Sequence, residues 1–448
     1  MSGQERLAGL LGREEERFRR THPRSAELAA RARAHLVAGV PMHWMARWPG
    51  GFPVVVAEAV GSRFVDVDGH EYVDFCLGDT GSMTGHAPAP TLRALAEQAA
   101  RGITLMLPTE DAAAVAEELA RRFGLPQWQF ALTATDANRF SVRLCRHVTG
   151  RPYVLVFNWC YHGTVDEAFA TLAGGAVAPR RGNLGPPVDP ALTTKVVEFN
   201  DVDALEAALA ARDVACVLAE PALTNVGIVH PEAGFHEALR ELTRSTGTLL
   251  VIDETHTVCC GPGGFTAAHA LTPDVLTIGK TIGGGVPAAA YGFTADLAEQ
   301  VVASIEVDDV DVGGVGGTLA ANALSLAAMR ATLTEVLTEA AFARMIALAE
   351  RWTAGVAEAI AGAGLPWHLT RLGCRAEYLF TPEAPRTGSE AHAGSDAALE
   401  RYMHLYALNR GILLTPFHNM ALMCPATTEA DVDRHTEVFS SAVTELEA

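Results

Sequence analysis

The sequence predicts an α/β protein with a mostly parallel central sheet in a large domain and a smaller α+β domain built from both chain ends. Two observations carry this. Short, uniformly apolar runs alternate with helix-forming stretches from about Gln129 to Phe293, and apolar runs without polar alternation are the signature of parallel strands covered on both faces. The flanks read differently, with a hairpin near the start and helices toward the end. The expected boundaries are 1–84 for the N-terminal part of the small domain, 85–325 for the large domain and 326–448 for the rest of the small one.

Taken in order, residues 14–35 are rich in Arg, Glu and Ala and read as a surface helix. Phe64 to Phe75 alternates around Asp68-Gly69, a hairpin with an Asp-Gly turn. Strands follow at 153–157, 214–219 and 248–252, and another short apolar run precedes Lys280. Right-handed crossovers are expected between them. Helices are expected over 319–363, then a strand near 376–380, a helix near 397–409 and a last helix near 429–446.

With 448 residues and 49% hydrophobic content, the chain can bury a large core. Its 53 acidic against 34 basic residues give a formal charge of −19, which disfavours nucleic acid and anionic membranes as partners. The eight cysteines include no CxxC pair and no His/Cys cluster with zinc spacing; reduced thiols of a cytoplasmic enzyme, with no metal, are expected. No signal peptide and no stretch of about 20 uncharged apolar residues is present, so no membrane segment is expected.

The chemistry is concentrated at two strand ends. The strand at 248–252 ends in Asp253-Glu254, and Lys280 stands twenty-seven residues after Asp253, ahead of Gly283-Gly284-Gly285. Open α/β sheets place ligands at this carboxyl edge. A lysine there can hold an aldehyde cofactor as a Schiff base, and an aspartate can keep a pyridine nitrogen protonated by a charge-assisted bond. Together they suggest pyridoxal phosphate, an electron sink for a proton leaving the substrate Cα. The released Lys280 can then carry that proton as base and acid. Gly279-Lys280-Thr281 also looks like the end of a phosphate-binding P-loop, but Asp274 stands where that motif needs glycine.

Further stretches surround this pair. Leu132-Thr133-Ala134-Thr135-Asp136-Ala137-Asn138 offers hydroxyls and backbone N–H groups at a helix start, an anion site. Asn158-Trp159-Cys160-Tyr161-His162-Gly163 follows one strand, and Glu220-Pro221-Ala222-Leu223-Thr224-Asn225-Val226-Gly227 another. Gly313-Gly314-Val315-Gly316-Gly317-Thr318 is a glycine-rich turn before a helix. In this order, from about Gly39 to the C-terminus, the chain resembles the class III, fold-type I pyridoxal-phosphate aminotransferases. The resemblance is to the branch with glutamate-1-semialdehyde aminomutase and the β-amino-acid transaminases.

The resemblance implies the remaining roles. Thr133, Ala134 and Thr135 would bind the cofactor phosphate, although Ala134 replaces a family glycine. Tyr161 would stack on the ring, with His162 in the same turn. Asn225 would lie near the phenolic oxygen, with Glu220 close by, and Thr255 replaces a valine that packs on the second ring face. Lys280, Asp253 and Tyr161 form the expected catalytic set. Thr318 would contact the cofactor phosphate of a neighbouring subunit, which makes a homodimer. His256, unusual at its place, reads either as a substrate-side donor or as a structural histidine.

Substrate choice turns on arginines, whose guanidinium fork suits a carboxylate. Relatives that use amino acids carry one in the early loop, where this chain has His43, Trp44 and Met45 with Arg47 displaced; β-amino-acid enzymes carry another after a C-terminal proline, where Pro416-Phe417 stands. The expected pocket is therefore apolar, drawn from His43, Trp44, Met45, Trp159 and Phe417. The leading expectation is an ω- or amine-type transaminase working by a ping-pong mechanism with amine and carbonyl substrates. The alternatives are an aminomutase or amino-acid racemase with the same lysine and aspartate, and a non-catalytic cofactor-binding protein.

Overall fold

Aliphatic runs with no polar alternation become strands buried on both faces in the computed structural model, which describes residues 3–186, 188–305 and 313–447. The chain divides into two compact units. One is Ala89–Phe342 with Pro385–Ala393; the other is Met1–Pro88, Ala343–Ala384 and Gly394–Ala448.

The first unit holds a sheet of seven strands in the order Gln127–Ala131, Ala289–Phe293, Val275–Ile278, Leu249–Asp253, Val214–Ala219, Tyr153–Phe157, Thr194–Val197. Every residue of Val214–Ala219 is buried, as a central strand between helical layers requires. The central pairings are parallel, with Val251 beside Leu218 on one side and Val275 on the other. Ala289–Phe293 runs antiparallel to both of its neighbours, so the sheet is mixed at one side. Asp253 pairs with Thr277, which brings the ends of two adjacent strands to one edge.

Helices close the crossovers. Ala134–Thr149 starts at Thr133, whose side chain accepts the Asp136 N–H, and stops at Gly150 in the left-handed conformation, a preferred helix terminator. Phe235–Thr246 stops in the same way at Gly247.

The second unit pairs Val56–Val60, Arg63–Asp66 and Glu71–Asp74 as an antiparallel meander, and Ile412–Leu413 joins it in parallel. A second sheet joins His368–Leu372, Arg375–Leu379 and Met420–Leu422. The expected strand at 376–380 is thus the middle of three. The helices Ala397–Leu408 and Glu429–Glu447 stand where expected. The helices expected over 319–363 are Ala323–Ala331 and Glu339–Gly362, with a π turn at Thr332–Val336 between them.

The N-terminal expectation needs correction. The helix at 14–35 is two helices, Gly3–Thr21 and Pro23–Ala32, because Pro23 can open a helix but cannot continue one. It is also not merely superficial, since Phe18 and Ser25 are fully buried. His22 Nε2 lies 2.8 Å from the Tyr72 hydroxyl, which donates to Asp66 at 2.8 Å, and this relay ties the helix to the hairpin. All eight cysteines are free thiols. Among the described residues no helix is long and apolar enough to cross a membrane.

Candidate active site

Asp253 ends its strand almost fully buried. Its Oδ2 accepts from Asn138 Nδ2 at 2.8 Å and pairs with His162 Nδ1 at 2.9 Å, while Oδ1 accepts the Thr255 N–H at 3.0 Å. Burial works to raise this carboxyl, but the bonds from His162, Thr255 and Asn138, with the His162 charge, hold it below the usual carboxylate range. At His162 burial opposes the charged imidazole, yet Cys160 and Asp253 outweigh it and raise the group to about 10. A buried, ionised carboxylate with a fixed orientation results, suited to holding a proton on a partner nitrogen.

Asn138 is the organiser that the sequence reading left without a role. It has no exposed surface. Its amide donates to Asp253 and to the His162 carbonyl at 3.2 Å, and its oxygen accepts from Thr277 at 2.6 Å. One residue of the Ala134–Thr149 helix thus joins two strand ends and the Tyr161-His162 turn. The signal was its place at the end of the Thr133 to Asn138 stretch.

Lys280 follows the other strand end through Gly279 and adopts the left-handed conformation with φ 53°. A non-glycine residue there carries strain, which tends to gather at functional sites. Its Nζ lies 2.7 Å from His256 Nε2. A Cβ on Gly279 would stand 3.0 Å from the Ala134 Cβ, so glycine at 279 is what lets the helix start close on the strand end.

Thr133 Oγ1 donates to Asp136 at 2.9 Å, and Thr135 Oγ1 accepts the Thr164 N–H at 3.0 Å. This helix start joins the turn after Tyr161, and a Cβ on Gly163 would meet Thr135 Oγ1 at 2.1 Å. Tyr161 is half-buried, edge-on to Phe169, and its N–H donates to Glu220 at 3.1 Å. The other oxygen of Glu220 takes the Thr224 N–H and hydroxyl, and burial raises this carboxyl. Glu220 therefore clamps two turns together. Asn225 is half-buried in a loop closed by reciprocal backbone bonds between Leu223 and Val229, and Thr255 is buried after Asp253.

Trp159, also left-handed with φ 65°, stacks on His392 at 3.7 Å with the Arg180 guanidinium 5.5 Å from its ring. Thr318 is exposed in the turn before the Ala323–Ala331 helix. His43, Trp44, Met45 and Phe417 belong to the second unit. There His43 is exposed and Met45 half-buried, while Trp44 meets Phe417 edge-on at 5.6 Å and the Arg47 guanidinium lies 5.2 Å from the same ring.

Within the first unit, a strand-end amine, a buried ionised carboxylate and hydroxyls at a helix start are the donor set that a phosphorylated pyridine aldehyde requires. The site therefore defines a pyridoxal-phosphate enzyme of mixed α/β fold. Comparison with known proteins agrees. Residues 44–443 match the family described as aminotransferase class-III, and the chain belongs to that family. It is 32% identical over 402 residues to a glutamate-1-semialdehyde 2,1-aminomutase of Bordetella avium, covering 88% of this chain and 92% of that one. A solved glutamate-1-semialdehyde-aminomutase from Pseudomonas aeruginosa PAO1 is 52% identical over 99% of both chains, with a TM-score of 0.97, and a variant of it is solved in complex with PMP. An omega-transaminase from Sphaerobacter thermophilus is 28% identical, with a TM-score of 0.86 over 95% of this chain and 98% of that one.

Proposed function

We propose that this enzyme is an aminomutase, exchanging an amino and a carbonyl group between neighbouring carbons of one substrate of the glutamate-1-semialdehyde type. The leading expectation of an intermolecular ω-type transaminase becomes the second reading. The observation that carries the proposal is likeness over the whole chain, 52% identity to the Pseudomonas aminomutase against 28% to the omega-transaminase.

When bound, pyridoxal phosphate delocalises the charge left by a departing Cα proton. In the proposed mechanism Asp253 keeps the pyridine nitrogen protonated, and His162 and Asn138 keep Asp253 ionised and aimed. Lys280 holds the cofactor at rest and, once free, moves protons at the reacting carbons. Thr133, Ala134 and Thr135 receive the phosphate at the helix start. Tyr161 would cover one ring face and Thr255 the other, and Asn225 would donate near the phenolic oxygen. Two copies would associate so that Thr318 of one reaches the phosphate of the other; its exposure beside a glycine-rich turn supports this.

The test uses glutamate 1-semialdehyde as sole substrate, with no added amine or keto acid. An aminomutase yields the isomer with the amino group at carbon 1, stoichiometrically. Product that forms only after a separate carbonyl acceptor is added establishes the transaminase reading instead. That second reading is favoured by one feature, the engagement of Arg47 with the Phe417 ring, which leaves the early loop without an arginine displayed for a carboxylate. Racemisation of the substrate would point to the remaining isomerase.

A further inference from the structure

The chain contains two lysines, Lys195 and Lys280. Lys195 donates to Asp213 at 2.5 Å and to the Ala208 carbonyl at 2.8 Å, an ordinary structural ion pair. Lys280 is different. The atom 2.7 Å from its Nζ is an imidazole nitrogen, His256 Nε2, on a residue with only 9% of its surface exposed. His256 stands three residues after Asp253, at the start of the Thr257–Cys260 turn. One strap therefore carries both the carboxylate and a base that touches the amine.

An amine attacks a carbonyl only as the neutral species. A protonated Lys280 must first shed a proton, and at a partly buried position bulk water is not freely available to take it. Histidine is the side chain whose unperturbed titration lies nearest neutrality. At 2.7 Å the transfer needs no intervening water.

We infer that His256 is a further catalytic residue, the group that takes and returns the proton of the Lys280 amine. In the forward step the Nζ–H bond breaks, its electron pair stays on nitrogen and an Nε2–H bond forms. The imidazole carries the positive charge until the proton returns. The inference rests on the reading of Lys280 as the reacting amine, and nothing in it depends on whether the amino group moves within one substrate or between two.

The test is made on the full chain after removal of the cofactor, with acetic anhydride as the probe. Peptide mass spectrometry reads acetylation of Lys280 relative to Lys195, which is an internal monitor of folding and reagent. His256→Ala should lower the Lys280 to Lys195 ratio at least about fivefold, in line with the loss of general-base assistance. His256→Gln keeps a hydrogen-bonding group at similar reach but cannot take up the proton, so it should stay as low as the alanine variant. An unchanged ratio in both variants would overturn the inference. So would restoration of the ratio by glutamine, which would leave His256 only a positioning role. Failure of the aminomutase assay would leave this result standing.

Discussion

Buried histidines sit in both units, and His162 in the first meets the opposite outcome to His404 and His435 in the second. In the first, His162 is paired with Asp253 and is raised to about 10 despite its burial. In the second, burial lowers His404 to about 4 even though Nε2 lies 3.1 Å from the Asn419 side-chain oxygen, and it lowers His435 to about 3. Burial alone neutralises an imidazole; at His162 the neighbouring Cys160 and Asp253 together reverse the outcome. The strand-end site keeps a pair of opposite charges away from water, while burial favours the neutral form of His404 and His435 in the second unit.

The comparison breaks most sharply at the carboxylates. Asp253→Asn should reduce turnover about a hundredfold to a thousandfold. It should also cost about 3–5 kcal/mol of stability, because His162 becomes a buried cation without its partner. Asp66 is as buried as Asp253, and its Oδ1 accepts the N–H groups of Asp68 and His70, both at 2.9 Å. Asp66→Asn should cost about 1–3 kcal/mol in denaturant melts but leave turnover per folded molecule unchanged. Equal activity losses in the two variants would erase the distinction.

Acid sharpens it next. The folded values of His404 and His435 are depressed, so their contribution is complete above the unfolded value near 6.5 and is lost as pH falls toward 4 and 3. At pH 5 each should cost the second unit up to about 2 kcal/mol. The raised His162 has the opposite sign: its contribution is complete below about 6.5 and is lost as pH rises through about 10. Asp253, depressed, keeps its contribution until the pH falls below the usual carboxylate range. Hydrogen exchange from pH 7 to 5 should therefore show protection falling in Glu429–Glu447 and holding in Leu249–Asp253. The reverse pattern would refute the charge assignments.

Smaller effects follow. Thr133→Ala should remove an N-cap worth about 1 kcal/mol and weaken cofactor affinity, read by fluorescence titration of the stripped protein. Arg386→Ala breaks the exposed ion pair with Glu232, whose side chains are 67% and 43% exposed. It should leave the denaturation midpoint unchanged within error, because solvent screens exposed pairs.

Much of this site was legible because its residues fall at strand ends and helix starts, where local pattern fixes position. Asp253 and Lys280 were readable from apolar runs that stop at a charge, and Thr133 from its place before a helix. Asn138 was not assigned, because its role depends on three side-chain contacts that converge only when two crossovers pack together. Glu220 was seen as a site residue, but its two-sided bonding to Tyr161 and Thr224 has no signature in sequence. Segment Pro385–Ala393 joins the first unit although it is flanked on both sides by the second. The bond that Ser389 accepts from Asn158 and the one that Arg386 donates to Glu232 are long-range and leave no local trace. The break at His22 and Pro23 was the reverse case, visible in the sequence but overlooked within a run of helix formers.

The most direct test of the account is to reduce the cofactor-loaded protein with borohydride, digest it and locate the trapped cofactor by mass. The chain has two lysines, so the answer is binary. The account predicts the full increment on the peptide containing Lys280 and none on that containing Lys195. Cofactor on Lys195, or none trapped on either lysine, would contradict it.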